Sequence, residues 1–103
     1  MSVALIGGMN RLEQKYMKEA EKLGLELRVF SESKKHMDVK LKHAQAVVIF
    51  TNKVSHQARN DAMNAAKTHG IPVFMHHACG VCTLRECLKC ILIINQKHER
   101  GSP

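Results

Sequence analysis

The chain has no tryptophan, one tyrosine and three phenylalanines, so aromatic residues make up only 4% of its 103 positions. That scarcity removes the stacking surfaces of many nucleic-acid binders, and no RNP-like aromatic strand or zinc-finger spacing replaces them. Long apolar runs are missing too. Nothing approaches the ~18 residues of a membrane span, and the opening MSVALIGGMN lacks a basic n-region and a cleavage site. The expectation is a cytoplasmic protein with no membrane association. Acidic residues are also few, nine against sixteen Lys and Arg, for a formal charge of +7. Such a balance favours an anionic small molecule or nucleic acid as partner. Yet the basic residues are scattered: Lys15, Lys18 and Lys22 interleave with Glu13, Glu19 and Glu21, as on an ordinary solvated helix face.

Several motifs are absent as well. Counting from Gly7, a dinucleotide fingerprint needs glycine where Met9 and Leu12 stand, and no Gly-Lys-Ser/Thr follows a glycine-rich loop. There is no defensible Ser-His-Asp arrangement and no acidic pair in the predicted edge loops. A binding or sensor role is therefore expected in preference to hydrolysis or phosphoryl transfer.

What is present is an alternation of strands and helices. With 45% hydrophobic residues, the chain is long enough for one domain, taken as residues 1–97 with a polar tail at 98–103. Val3, Ala4, Leu5 and Ile6 form a continuous apolar run ending at Gly7 and Gly8, the pattern of a central strand. Asn10 then precedes Leu12, Tyr16, Ala20 and Leu23 at helical spacing, with Glu13 placed for a capping box and Gly24 as the stop. Leu25, Leu27 and Val29 alternate with Glu26 and Arg28, as on an edge strand. Residues 34–44 suit a brief helix or irregular crossover, with Met37, Leu41 and Ala44 inward. Residues 46–50 are a second buried strand, followed by a helix from Ser55 to His69 with an alanine face. A strand at 71–75 and a helix over about 83–96 complete the series, and Ile93 and Ile94 widen the last helix's apolar stripe. That excess predicts a homodimer through the C-terminal helix.

This rhythm predicts an α/β domain, a small doubly wound parallel four-stranded sheet of flavodoxin-like order 2-1-3-4. Ligands in such sheets bind beyond the carboxyl ends of the strands, at the switch point. The loops expected there begin Gly7-Gly8-Met9-Asn10-Arg11, Thr51-Asn52-Lys53-Val54-Ser55-His56 and His76-His77-Ala78-Cys79-Gly80-Val81-Cys82. The strand-and-loop stretches ALIGG, AVVIFTNKVSH and IPVFMHHACGVCTL resemble the bacterial domain-of-unknown-function 2325 family over nearly the whole chain. The resemblance implies a Rossmann-like or flavodoxin-like fold and a cytosolic prokaryotic protein, but no activity. Cys79 and Cys82 stand where similar proteins usually carry small polar residues.

Gly7, Gly8 and Arg11, together with Asn52, Ser55 and His56, are the candidate ligand-binding residues, since a tight turn opening a helix offers free N–H groups to an anion. His56, His76, His77, Cys79 and Cys82 are the candidate metal ligands, a mixture of thiolate and imidazole that suits zinc or iron. Haem would have to be held by axial His or Cys alone, because Thr83 rather than histidine follows Cys82. The pair Cys79 and Cys82 would also serve a thiol-disulfide oxidoreductase, and a basic nucleic-acid accessory protein remains a third reading. Four sulfurs around one centre are not expected: Cys87 lies about 7.5 Å up the helix axis from Cys82, and it borders the stripe of Leu84, Leu88 and Ile91.

Overall fold

The computed structural model of the chain describes residues 1–30 and 41–100, with the side chains of 96–100 excepted. Four strands, β1 (Ser2–Gly7), β2 (Glu26–Phe30), β3 (Ala46–Phe50) and β4 (Val73–His76), form an all-parallel sheet of order β2-β1-β3-β4. Three α-helices are described: α1 (Glu13–Lys22), α2 (His56–His69) and α3 (Val81–Arg100). The doubly wound α/β fold expected from the alternating pattern is the one observed. Met37 and most of the expected 34–44 segment lie outside the described residues, while Leu41 is buried.

Side chains alternate across the two central strands and so feed two apolar layers. Val3 and Leu5 of β1 join Ala46, Val48 and Phe50 of β3 beneath α1 and α3, against Tyr16, Ala20, Leu84, Leu88 and Ile91. Ala4, Ile6, Val47 and Ile49 face the other way, onto Leu41 and the alanine face of α2. β1 and β3 are covered on both faces, which is why they read as unbroken apolar runs, whereas β2 at the edge alternates. Each fully buried Leu or Ile of these layers contributes roughly 1.5–3 kcal/mol.

The helix ends show where local chemistry decided. Ser55 caps α2, its Oγ accepting from Ala58 N–H at 3.1 Å. α1 and α2 both finish in Schellman motifs: Leu25 N–H donates to Ala20 C=O and Gly24 N–H to Glu21 C=O, while Ile71 and Gly70 repeat the pattern on Ala66 and Lys67. The capping box expected at Asn10 does not form. Residues Asn10–Leu12 make a 3-10 turn without a side-chain cap, and α1 proper begins at Glu13. The Tyr16 hydroxyl takes the Met9 N–H and Leu12 N–H donates to Met9 C=O, so these backbone groups find partners without Asn10. At the other end of the chain α3 starts at Val81, earlier than residue 83, because Val81 packs on the first layer one turn before Leu84. It also runs to Arg100, through the expected boundary between domain and tail.

Glu19 also departs from the expected pattern. Read as part of a solvated face, it is only 9% exposed and receives the Arg85 guanidinium from α3 through Nε at 2.9 Å and Nη2 at 3.0 Å. Lys22 Nζ adds a contact at 3.4 Å. Arg85, then Lys22, holds the Glu19 carboxyl below its ordinary range. A lowered carboxylate stabilises the fold above its unfolded pKa, and that contribution is lost as pH falls through the folded one. Glu19→Gln should therefore lower the melting temperature by several degrees at neutral pH, with the deficit closing as the solution is acidified below about pH 4. Thermal melts of both proteins across pH check this. A deficit constant down to acid pH would mean the ion pair is not its source.

Candidate functional site

The chain leaves β1 toward β2 on one side and later passes from β3 to β4 on the other, so the switch point lies between β1 and β3. The loops after these strands meet there. Gly8 N–H donates to Lys53 C=O at 2.9 Å, stitching the first loop to the 3-10 turn Thr51–Lys53. Beside that stitch lies a shallow cleft of about 410 Å³, wide open to solvent, with residues 8–11 on one wall and 53–55 on the other. Arg11 and Lys53 are both exposed at its rim. Among the described residues that line it, none is acidic.

The expected ligand-binding residues separate on this geometry. Gly8, Arg11 and Ser55 line the cleft. Gly7 is buried behind it in register with Phe50, and its role is to let the backbones approach. Asn52 and His56 are exposed neighbours outside the lining. Ser55 is engaged as the α2 cap, while His56 and Gln57 contribute first-turn N–H groups, which have no partner within a helix. Lys53, Met9, Asn10 and Val54 complete the lining. Of these, Lys53 was placed by the sequence in the edge loop 51–56 but was not among the expected ligand-binding residues.

The third loop is tied in from below. Tyr16, the only tyrosine, is fully buried and packs edge-on against Phe50, ring centroids 5.8 Å apart. Its hydroxyl accepts from Met9 N–H at 3.2 Å and donates to Cys79 C=O. One side chain thus bridges the cleft loop and the loop before α3. Burial raises the Tyr16 pKa above its ordinary value, so the hydroxyl keeps the proton it donates. The available signal was chemical: a lone tyrosine on an inward helical stripe requires a partner for its hydroxyl.

The candidate metal ligands do not gather. His76 ends β4, half-buried, and His77 is exposed just beyond it. Cys79 is half-buried against the first layer, Cys82 is exposed in the first turn of α3, and His56 is exposed at the start of α2. Among the described residues no group of three or more His, Cys, Asp or Glu side chains is arranged to hold a metal ion. The donors for zinc, iron or axially ligated haem are thus present at one edge of the sheet but not assembled around a centre. Cys87 packs in the core at 4% exposure, and burial pushes its thiol up to about 11, leaving it neutral.

The sequence profile described as an uncharacterized protein conserved in bacteria, domain-of-unknown-function 2325, matches residues 2–91. The chain belongs to this family. The matched span includes all four strands and the three loops at their carboxyl ends, so the cleft lies within the 2325-family domain. No curated protein and no solved structure matches the chain.

Proposed function

We propose that the protein is a binding domain for a small anionic ligand held in the cleft between the β1–α1 and β3–α2 loops. The observation that carries this reading is the cleft itself: a volume of about 410 Å³ at the switch point, lined by Arg11 and Lys53 and by no described acidic residue. In this reading the two side chains supply charge and the N-terminal end of α2, which reaches the cleft at Ser55, adds the positive end of its dipole, a combination that favours phosphate or carboxylate. The formal charge of +7 raises the local concentration of such ligands. The proposed role is binding, with no catalytic residue assigned.

The test uses pyrophosphate and a nucleoside monophosphate as probes, followed by backbone NMR. Expected shifts concentrate at residues 8–11 and 53–57, and affinity weakens as salt rises. Arg11→Ala combined with Lys53→Ala should reduce affinity by roughly tenfold or more while leaving the melting temperature nearly unchanged, because both side chains are exposed. No shift in these loops at roughly millimolar probe, or unchanged affinity in the double variant, overturns the proposal.

A further inference from the structure

We propose that the exposed side of α1 binds double-stranded nucleic acid, holding one strand by its phosphates without reading the bases. This surface goes beyond the anion cleft and does not depend on it. Lys15, Lys18 and Lys22 recur at intervals of three and four residues, so they fall within about 60° of one another around the helix. Arg11, one turn earlier in the 3-10 segment, continues the row to the rim of the cleft. All four side chains are exposed. From Arg11 to Lys22 the row is roughly 17 Å long, with a positive charge about every 5 Å.

The glutamates that alternate with these lysines in sequence leave the row once the helix forms. Glu13 lies on the opposite side, half-buried, and Glu21 stands about a quarter-turn round. Glu19, on the flank, is 9% exposed and takes two hydrogen bonds from Arg85, so the carboxylate beside Lys22 is already matched by a cation of α3. Lys22 Nζ reaches it at 3.4 Å with its own side chain still 70% exposed. Among the described residues neither Lys15 nor Lys18 has a carboxylate partner. Exposed, unpaired cations in a line concentrate positive potential on this side of a chain whose formal charge is +7.

Charge and shape select the occupant. A small anion fills the cleft but does not span the row, whereas a polyanion does: at about 3.4 Å of rise per phosphate, roughly five phosphates of one duplex strand lie along it. A lipid surface fits less well. The apolar side of α1, with Tyr16 and Ala20, is buried in the first layer, and of its large apolar residues only Met17 is exposed, whereas an interfacial helix buries that side in the bilayer. The aromatics decide between duplex and single strand. Tyr16 and Phe50 are fully buried, and Phe30 and Phe74 are half-buried on β2 and β4. The row therefore offers unpaired bases nothing to stack on, the contact that single-strand binders use.

Fluorescence anisotropy of the full chain with labelled DNA and RNA duplexes of mixed sequence reads the binding. The expected result at about 50 mM salt is a dissociation constant of roughly 10 µM, weakened about a hundredfold at about 200 mM by the release of some four counterions. Lys15→Ala combined with Lys18→Ala should weaken it at least about tenfold and reduce the salt slope by about two. Pyrophosphate binding should be unchanged in that variant, since neither residue lines the cleft. Lys42→Ala combined with Lys67→Ala removes the same charge from the α2 side of the sheet and should change duplex affinity by less than about twofold. No binding of either duplex at about 100 µM protein, equal weakening by the two double variants, tighter binding of the matching single strand, or equal binding of polyglutamate or of anionic lipid vesicles overturns the proposal.

Discussion

Gly7→Ala is expected to lower the melting temperature by about 15 °C or more. Gly7 holds φ +89°, a conformation that side chains with a Cβ rarely adopt. Its neighbours add a second penalty. A Cβ there would lie 2.6 Å from Lys53 C=O, 2.9 Å from Val54 Cβ and 3.0 Å from Phe50 C=O. Two of these are backbone oxygens, one at the end of β3 and one in the turn that follows it, so no side-chain rotation relieves the contact. Relief requires the carboxyl ends of β1 and β3 to part, which pulls on the Gly8 N–H···O=C Lys53 bond. Together the strained φ and the collision cost roughly 3 kcal/mol or more, set against a total of about 5–15 kcal/mol for a typical domain.

Gly70→Ala separates the two penalties. Gly70 also has a positive φ, +65°, but a Cβ there meets nothing within 4 Å. Only the conformational penalty remains, about 1 kcal/mol. Thermal melts of both variants measure the difference. Equal losses would show that the close approach at Gly7 carries no penalty, and the account of the β1–β3 junction would fail. Anion binding should also fall in Gly7→Ala at temperatures where the protein is still folded, since the parted strands carry both walls of the cleft.

Gly7 also shows what could be read in advance. The paired glycines after an apolar run announced a sharp turn at the end of a central strand, and strand order followed from alternation at β2 and its absence at β1 and β3. These signals are periodic and local, so the sequence carries them directly. The partners of Gly7 were not legible, because Lys53 and Val54 reach it only through pairing across 46 residues. The same holds for Glu19 and Arg85, 66 positions apart: each sits in a charged helical pattern that suggests solvent, and only the packing of α1 against α3 makes them a pair. The cysteines fell in between. Helical arithmetic separated Cys87 from Cys82, in agreement with the burial of Cys87 in the first layer. Spacing alone, however, said nothing of how the side chains of His56, His76 and Cys79 would be oriented, and the described residues do not converge.

Tyr16→Phe is expected to destabilise the fold by about 1–3 kcal/mol, a larger effect than removal of one hydroxyl suggests. The ring's packing on Phe50 survives the change, so the loss comes from the two groups left behind, Met9 N–H and Cys79 C=O. Neither can be served by another hydroxyl from the same side chain, and part-buried backbone groups without a partner carry a desolvation penalty. The functional consequence separates this variant from an ordinary core mutation. Met9 lines the cleft and Cys79 belongs to the loop leading into α3, so the hydroxyl is what couples these two segments. Tyr16→Phe should therefore weaken pyrophosphate binding by a few-fold although every charged group of the cleft remains, and it should raise amide exchange at Met9 and around Cys79 together. Leu88→Ala, which opens a cavity in the same layer at a cost of about 2–5 kcal/mol, provides the control: comparable or greater destabilisation with binding retained while the protein is folded. If the two variants affect affinity alike, Tyr16 is only a core residue, and the cleft does not depend on the third loop.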